Sequence, residues 1–276
     1  MMLEDLKDRS RHGAVWDRHR LTDPHGQHDK AARVRRMFDA IAPTYELVNR
    51  LTSAGRDRYW RREMVRLADV RADDVLLDVA CGTGDVARTF SSAPVRPRRI
   101  VGADFAERML REAVARPIAD GGFACGDALR LPLADESVSI VTCAFGIRNF
   151  QDLNAGLREM HRVLKPAGRA VIAEFTVPSQ PLLRSMYLFY FRRLLPRLAT
   201  LISRDTSGAY RYLPESVLSF PDDQGVRAAL TAAGFSNVTA SRRTCGIVAM
   251  YVAQKAANVF PSDTTHVQYS QTCQTR

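Results

Sequence analysis

The amino-acid sequence predicts an α/β protein with a mostly parallel sheet that is covered by helices on both faces. Between residues 75 and 174, five short apolar runs alternate with segments of helical periodicity, as expected for strands joined by crossover helices. The first run leads directly into a glycine-rich turn. With 276 residues and 46% apolar composition, the chain is long enough for one large domain with its own core.

The part of the chain before the sheet is polar at first and then helical. Residues 1–29 show no apolar periodicity, so we expect a disordered polar arm. A single domain is predicted at 30–255. Apolar residues from Val34 to Ile41 recur at helical spacing and open a helical lid, which we place at 30–70.

The alternating part follows the lid and supplies the sheet. Its strands are predicted at Val75–Ala80, Arg99–Asp104, Phe123–Cys125, Val138–Ala144 and Arg169–Glu174. Helices are predicted at 106–116, 153–164 and 226–233, and a turn at 166–168. Two later strands, at 238–241 and 247–253, bring the predicted sheet to seven strands and end it in a hairpin.

An apolar helical region is inserted at 180–204, and a polar tail follows the domain at 256–276. Four arginines and a proline interrupt the region's apolar stretch at 182–202, so it should not span a membrane. One interpretation is a lipophilic wall whose arginines contact lipid phosphates. The other is a core helix or the interface of a homodimer.

The formal net charge of +10 has two interpretations. Only four of the 40 basic residues are lysine, a bias that base composition in the genome can produce without any function. The alternative is weak attraction to anionic membranes. The sequence has neither an N/D-P-P-Y motif nor a Pro-Cys pair, and we expect no nucleic-acid partner. We expect a cytoplasmic protein with buried free thiols at Cys81, Cys125 and Cys143 and no metal site.

The strongest local signal is the segment Asp78-Val-Ala-Cys-Gly-Thr-Gly-Asp85. Gly82 and Gly84 lack side chains, so the backbone can approach a ligand closely at the end of a buried strand. Asp104, at the end of the second strand, could hold ribose hydroxyls. This pattern also satisfies G-x-G-x-x-A, so a dinucleotide-binding protein is a competing interpretation.

Carboxylates favour S-adenosylmethionine over a dinucleotide. Asp78 lies inside the strand before the first glycine, where it would attract a sulfonium and an ammonium group but repel a pyrophosphate. Asp127 follows the third strand, where an adenine amino group would lie. The segment 101–110 resembles the second cofactor motif of class I methyltransferases.

Longer segments resemble the ubiquinone/menaquinone biosynthesis C-methyltransferase family over about residues 30 to 255. Residues 45–60 are similar to the family pattern Y-D-x-M-N-x-x-M-S-x-G-x-H-x-x-W, with Glu46 in place of Asp and Asp57 in place of His. Residues 162–176 are similar to R-V-L-K-P-G-G-x-x-x-x-x-E-F-S, with Ala167 in place of Gly. Phe145-Gly-Ile-Arg-Asn149 resembles F-G-[LI]-R-N.

The resemblance implies a class I, Rossmann-like methyltransferase with a seven-stranded sheet. The implied reaction is methyl transfer from S-adenosylmethionine to a ring carbon of a polyprenylated hydroquinone; the alternative is another lipophilic small-molecule acceptor. It implies cofactor contacts at Thr83, Asp104, Asp127, Ala128 and Ala144, besides the turn residues Asp78, Gly82 and Gly84.

Candidates for the chemistry lie just after the fourth strand and in the lid. Arg148 is interpreted as a cation that stabilises a phenolate, with pairing to a carboxylate such as Asp152 as the alternative. Asn149 would orient a ring oxygen, because ligands of open α/β sheets gather at the carboxyl ends of the strands. Tyr45 is a third candidate, with simple packing as its alternative.

Overall fold

The structure is a computed structural model that describes residues 15–17 and 19–257. Residues 1–14, Arg18 and 258–276, which belong to the predicted arm and tail, lie outside the described residues. The helices are α1 (Lys30–Ile41), α2 (Tyr45–Thr52), α3 (Arg56–Ala68), α4 (Asp85–Ser91), α5 (Glu107–Val114), α6 (Leu153–Val163), α7 (Pro181–Phe189), α8 (Leu195–Ser203), α9 (Ala209–Leu218) and α10 (Asp223–Ala232).

Seven strands form one sheet in the order β3-β2-β1-β4-β5-β7-β6. They are β1 (Val75–Val79), β2 (Arg99–Asp104), β3 (Gly121–Cys125), β4 (Val138–Ala144), β5 (Leu164–Phe175), β6 (Ser236–Arg243) and β7 (Val248–Gln254). The first five strands pair in parallel, while β7 is antiparallel to both β5 and β6. The seven-stranded, mostly parallel α/β fold predicted from the sequence is therefore confirmed.

Strand order reverses between β1 and β4, which are neighbours in the sheet although β2 and β3 separate them in the chain. In open α/β sheets such a switch leaves a crevice at the carboxyl ends of the strands. Asp78 in β1 lies opposite Gly102 in β2 and Thr142 in β4, so the switch is centred on this residue. The chain segments that follow β1, β2 and β4 meet at this crevice.

Buried apolar side chains form three clusters, two against the sheet and one under the lid. The cluster on one face includes Leu157 of α6 and Leu230 of α10, and the cluster on the other includes Met64 of α3 and Phe90 of α4. The third cluster joins α1 to the 181–218 region. The lid helices are thus packed on the inserted region as well as on the sheet.

The prediction of a disordered arm is wrong for residues 15–17 and 19–29. Trp16 is 0% exposed and lies in the cluster under the lid, and its backbone N–H donates to Ser207 O at 3.1 Å. His25 Nε2 lies 2.8 Å from Ser216 O. These contacts come from scattered single residues and not from a periodic pattern, which is why composition alone suggests disorder.

Other differences from the sequence prediction are local. Helix α9, which contains Pro214, was not predicted, because an internal proline normally argues against a helix. Strand β5 begins at Leu164 and includes the predicted turn as an irregularity, where Ala167 has a φ of 60°. Cys81 and Cys143 are buried as predicted, but Cys125 is exposed because it ends the edge strand β3.

Candidate active site

After β1 the chain makes a tight turn that presents backbone to the crevice. Ala80, Gly82 and Gly84 have left-handed backbone angles, with φ of 53°, 55° and 83°. A Cβ atom at Gly84 would lie 2.6 Å from the ring of Phe123, so a side chain there would clash. Nothing lies within 4 Å of the place that a Cβ of Gly82 would take. Open space therefore faces the backbone of Gly82, and a side chain at position 82 would occupy that space.

Asp104 ends β2 and faces the same turn. Its Oδ2 accepts a hydrogen bond from Gly82 N at 2.8 Å, and its Oδ1 accepts one from Ala106 N at 2.8 Å. Burial raises the pKa of Asp104 to about 6, although these backbone donors act in the opposite direction. The carboxylate is thus mostly ionised at neutral pH and available to further donors in the crevice.

The crevice holds the strand-tip cavity, named for its place at the carboxyl ends of β1, β2 and β4. It contains about 660 Å³ of empty space, including its open mouth. Seven of the residues predicted from the sequence line it together: Tyr45, Gly82, Asp104, Asp127, Ala128, Ala144 and Asn149. These residues come from five separate parts of the chain, so their convergence depends on the fold.

Three predicted cofactor residues do not line the strand-tip cavity. Asp78 is 1% exposed inside β1, and its Oδ1 accepts a hydrogen bond from Thr142 Oγ1 at 2.8 Å. Thr83 is buried, and its carbonyl oxygen accepts a hydrogen bond from Arg88 Nη2 at 2.5 Å. Gly84 packs against Phe123. Thr83 and Gly84 are part of the turn and Asp78 lies in the strand before it. Direct contact between these residues and a cofactor stays a prediction.

Asp78 leaves a buried carboxyl oxygen without a partner. Its Oδ2 accepts no hydrogen bond from any residue within the described ranges. Burial, with a smaller contribution from Asp104, raises the pKa of Asp78 to about 7. A cation bound nearby would favour the ionised form of this group.

The residues around the strand-tip cavity fit S-adenosylmethionine better than a dinucleotide. Carboxylates of Asp104 and Asp127 line it, Asp78 lies behind it, and the open space at Gly82 lets a ligand approach the backbone. A sulfonium with an ammonium group would be attracted to these carboxylates, whereas a pyrophosphate would be repelled. The carboxylates around this cavity therefore favour the cationic cofactor.

A second cavity, the lid cavity, lies between the lid helices and the inserted region. It contains about 1140 Å³ of empty space, including its mouth. Its lining includes ten aromatic side chains: Phe38, Tyr45, Trp60, Phe145, Phe175, Tyr187, Tyr190, Phe191, Tyr210 and Tyr212. Phe145 and Phe175 stack at 4.3 Å between ring centroids. Such a lining suits a flat apolar molecule, because stacked and edge-on contacts favour aromatic ligands.

The two cavities share a wall made by Phe38, Tyr45 and Phe145. Phe145 directly follows β4 and has a φ of 58°, which costs a residue other than glycine about 1–2 kcal/mol. The rings of Phe38 and Tyr45 meet edge-on with centroids 6.0 Å apart. The two cavities therefore adjoin each other at these three side chains.

Arg148 supplies the buried positive charge of the lid cavity. Its Nη1 donates to Glu174 Oε1 at 2.8 Å and also to Phe145 O, and its backbone N–H donates to Glu174 Oε2 at 3.2 Å. Burial disfavours the charged guanidinium, but the Glu174 carboxylate outweighs this effect and raises the pKa of Arg148. Arg148 is therefore charged, and its buried Nε makes no hydrogen bond within the described residues.

The alternative interpretation of Arg148, pairing with a carboxylate, is confirmed. The partner is Glu174, which was missed from the sequence as a site residue, and the suggested partner Asp152 is wrong. Asp152 instead begins α6, where its side chain accepts a hydrogen bond from Ala155 N at 2.9 Å. Glu174 is 1% exposed near the end of β5. The available signal was an acidic residue at the carboxyl end of an apolar strand, which is where α/β sheets place functional groups.

Tyr45 is part of the shared wall, and Asn149 lines the strand-tip cavity. Asn149 Oδ1 accepts a hydrogen bond from Tyr212 OH at 3.0 Å, and its Nδ2 donates to Phe145 O at 3.3 Å. Burial raises the pKa of the Tyr45 phenol, so Tyr45 stays neutral and can donate a hydrogen bond. The three catalytic candidates are thus brought to the junction of the two cavities, while their roles stay predictions.

Comparison with protein-family models matches residues 26–255 to the ubiE/COQ5 methyltransferase family. A demethylmenaquinone methyltransferase from Deinococcus radiodurans is 44% identical over 230 residues, which cover 82% of this chain and 94% of the relative. The demethylmenaquinone methyltransferase of Thermus thermophilus is 46% identical over 79% of this chain and 100% of its own. A ubiquinone/menaquinone biosynthesis C-methyltransferase from Geotalea uraniireducens is 41% identical over 82% of this chain and 98% of its own.

Solved structures are similar in fold at lower identity. One chain of the complex between the Haloferax volcanii Trm112 methyltransferase activator and a methyltransferase matches with a TM-score of 0.60 at 18% identity, covering 79% of this chain and 97% of its own. A phosphoethanolamine N-methyltransferase from Haemonchus contortus, in complex with S-adenosylhomocysteine, matches with a TM-score of 0.54 at 15% identity, covering 72% of this chain and 52% of its own. These structures share the class I methyltransferase fold.

Proposed function

The chain belongs to the ubiE/COQ5 methyltransferase family, and from this premise we propose that it methylates a ring carbon of a polyprenylated hydroquinone. It is an S-adenosylmethionine-dependent methyltransferase. The names of its relatives support two acceptors: demethylmenaquinol and the benzoquinol of ubiquinone biosynthesis. The protein would methylate one of them or both. The observation that carries the proposal is the contact between a carboxylate-lined cavity and an aromatic cavity across one shared wall.

S-adenosylmethionine supplies an electrophilic methyl group, so the protein has to hold donor and acceptor in line. In the proposed site, Asp104 accepts hydrogen bonds from the ribose hydroxyls, and Asp127 accepts one from the adenine amino group. Gly82 lets the cofactor approach the backbone, and the small side chains of Ala128 and Ala144 leave room beside it. Thr83 and Gly84 are part of the turn, and Asp78 precedes it in β1, where a bound cation would favour the ionised form of its carboxyl group.

The acceptor ring has to become electron-rich before it can attack. A phenol has a pKa of about 10, so the phenolate needs stabilisation at neutral pH. Arg148 is a permanent cation with a spare buried donor, and we propose that it stabilises the phenolate oxygen. The phenol proton leaves to solvent. The methyl–sulfur bond would break as the carbon–carbon bond forms, leaving S-adenosylhomocysteine as a neutral thioether, and the proton of the ring carbon would then pass to solvent. Asn149 and Tyr45 would orient a ring oxygen across the shared wall.

The inserted region is proposed to contact a bilayer, the source of a prenylated acceptor. Leu182 and Leu201 are 76% and 78% exposed on α7 and α8, and the same helices line the lid cavity from inside. The arginines of this region, Arg184, Arg192, Arg193 and Arg197, suit lipid phosphates. In the part of the chain that the structure describes, no helix has the length and apolarity needed to cross a membrane.

The decisive experiment for the function is methyl transfer by the purified protein. The protein is incubated with labelled S-adenosylmethionine and a short-chain demethylmenaquinol or benzoquinol, and products are identified by mass spectrometry. Methylated quinol supports the proposal. Quinones that remain fully methylated after deletion of the gene would contradict it, and methylation of a different lipophilic acceptor would establish the alternative.

Membrane contact is tested by flotation with vesicles that contain phosphatidylglycerol. We expect wild-type protein to float, Leu182→Ser with Leu201→Ser to float less, and Val95→Ser to behave as wild type. Val95 is a matched control because it is 51% exposed outside this surface. Protein that stays at the bottom of the gradient contradicts the proposal, and a dimer that the double substitution dissociates would assign this face to a homodimer.

A further inference from the structure

Trp16 lies before the stretch that matches the family, which begins at residue 26. Its side chain is completely buried under the lid. Both polar atoms of the peptide group between Val15 and Trp16 are hydrogen-bonded: Trp16 N–H donates to Ser207 O at 3.1 Å, and Val15 O accepts from Arg33 Nη1 at 3.1 Å. The segment that carries Trp16 is therefore built into the structure next to the site.

Trp16 packs face to face on Tyr212 of α9. Their ring centroids are 4.3 Å apart and the ring planes differ by 27°. Gly208, which precedes α9, has a φ of 88°, and a Cβ atom there would lie 2.6 Å from Trp16 O. The close approach of the Trp16 backbone thus depends on a glycine at the start of the helix that carries Tyr212.

Tyr212 transmits this contact to the junction of the two cavities. Its ring lines the lid cavity, and its hydroxyl donates to Asn149 Oδ1 at 3.0 Å. Asn149 in turn lines the strand-tip cavity. Both Tyr212 and Trp16 are less than 2% exposed, so the tyrosine ring has little room to move while the tryptophan is present.

We propose that Trp16 is a positioning residue for the aromatic acceptor, acting through Tyr212 and Asn149. The inference rests on the proposed function, because it assumes that an acceptor ring binds in the lid cavity. Trp16 contacts neither reactant. It fixes the Tyr212 ring, the Tyr212 hydroxyl fixes the Asn149 amide, and the amide is then set to orient a ring oxygen of the acceptor.

A purely structural role for Trp16 predicts different kinetics. Loss of a buried aromatic residue lowers stability wherever it occurs, and it then lowers the amount of active enzyme. A positioning role predicts a higher KM for the acceptor in enzyme that is still folded, with little change in the Kd of S-adenosylmethionine. The two roles are separated by full-chain variants that keep or remove the stack.

Three variants form the test, with methyl transfer to a quinol as the assay. Trp16→Ala removes the stack and should raise the acceptor KM about tenfold, the upper range for an aromatic pair. Trp16→Phe keeps a stacked ring and should restore KM to within about twofold of wild type. Tyr212→Phe keeps the stack but removes the hydroxyl, and should raise KM as Trp16→Ala does.

The matched control is Phe235→Ala. Phe235 is a buried aromatic residue whose ring centroid lies 5.1 Å from that of His161. It belongs to the cluster that contains Leu157 and Leu230, and it lines neither cavity. The substitution should lower the melting temperature and leave the acceptor KM unchanged. The double variant Trp16→Ala with Tyr212→Phe should show no further increase in KM beyond either single variant, because both act on one path.

An unchanged acceptor KM in folded Trp16→Ala would overturn the inference, as would fully additive effects in the double variant. A crystal structure of Trp16→Ala in which Tyr212 OH still lies within hydrogen-bond distance of Asn149 would also overturn it, whatever the acceptor is. Wild-type protein that methylates no quinol contradicts the proposed function instead, so the two failures are distinguishable.

Discussion

The strand-tip cavity and the lid cavity are built in different ways. The first lies at the carboxyl ends of neighbouring strands of the sheet, where backbone turns and a few carboxylates provide the surface. The second is enclosed by aromatic side chains from the N-terminal helices, the inserted region and α9. One cavity follows from the topology of the sheet, whereas the other depends on packing between segments that are distant in the chain.

This difference explains which features the sequence could predict. Strand ends, glycines with special backbone angles and carboxylates after strands are local patterns. Gly82, Asp104 and Asp127, which these patterns indicate, line one cavity, and their contact with a cofactor stays a prediction. The ion pair between Arg148 and Glu174 joins two strand ends 26 residues apart in sequence, and no local pattern reveals it. The first cavity should therefore control cofactor binding, and the second should control the acceptor.

Substitution of Arg148 should have the largest effect and should be confined to the acceptor side. Arg148→Gln removes the charge that stabilises a phenolate, and we expect kcat to fall about 10²–10⁴-fold. The Kd of S-adenosylmethionine, measured by isothermal titration calorimetry, should stay within about twofold of wild type. A comparable loss of cofactor affinity would remove the distinction between the two cavities.

Arg169→Gln is the matched control for this substitution. Arg169 forms an ion pair with Asp74 at 2.6 Å, both side chains are largely buried, and neither lines the two cavities. Loss of this pair should lower the melting temperature while kcat is preserved. If Arg169→Gln lowers kcat as much as Arg148→Gln does, the effect of Arg148 would be one of stability only.

Asp104→Asn should have the next largest effect, on the cofactor side. The amide oxygen can still accept a backbone hydrogen bond, but charge-assisted bonds to ribose hydroxyls are lost. We expect the Kd of S-adenosylmethionine to rise about 10–100-fold. Asp152→Asn is the control, since asparagine also caps a helix, and it should leave the Kd unchanged. Equal cofactor affinity in Asp104→Asn and wild type would refute the proposed cofactor site.

The pH dependence of cofactor binding should identify the same carboxylate. The pKa of Asp104 is raised from 3.8 to about 6, so protonation below pH 6 removes the acceptor charge. Affinity for S-adenosylmethionine should then fall by at most about tenfold per pH unit below pH 6. Titrations between pH 5 and 8 should show a steeper loss of affinity below pH 6 in wild type than in Asp104→Asn, in which Asp78, with a pKa of about 7, still titrates.

The free energy of unfolding of the ligand-free protein should rise as the pH falls, whereas the affinity for S-adenosylmethionine should fall. Because the folded pKa of Asp104 lies above the unfolded value of 3.8, its protonated form stabilises the folded state at low pH, and this contribution is lost as the pH rises through about 6. Asp104→Asn should lack this contribution. Parallel pH profiles of stability in the variant and wild type would show that Asp104 does not titrate with a raised pKa.

Much of the fold was predictable because buried parallel strands are continuous apolar runs with glycine or charged residues at their ends. β2 and β4 have the predicted bounds. The order at 15–17 and 19–29 was not predictable, because Trp16 lies in a mostly polar stretch and becomes part of the core through tertiary contacts such as its stack on Tyr212. Similarly, α9 tolerates Pro214 through tertiary packing, which a local pattern cannot include.

The smallest expected effect concerns backbone strain away from both cavities. Ala167 has a φ of 60° in the irregular part of β5, at a position where the family pattern has glycine. Left-handed backbone costs alanine about 1–2 kcal/mol, and the greater freedom of glycine in the unfolded chain offsets about 0.4–1 kcal/mol of the gain. Ala167→Gly should therefore raise the free energy of unfolding by about 0.5–1 kcal/mol. Calorimetry should show a higher melting temperature with unchanged kcat and cofactor Kd, whereas a lower melting temperature would mean that the Ala167 methyl group contributes packing that outweighs its strain.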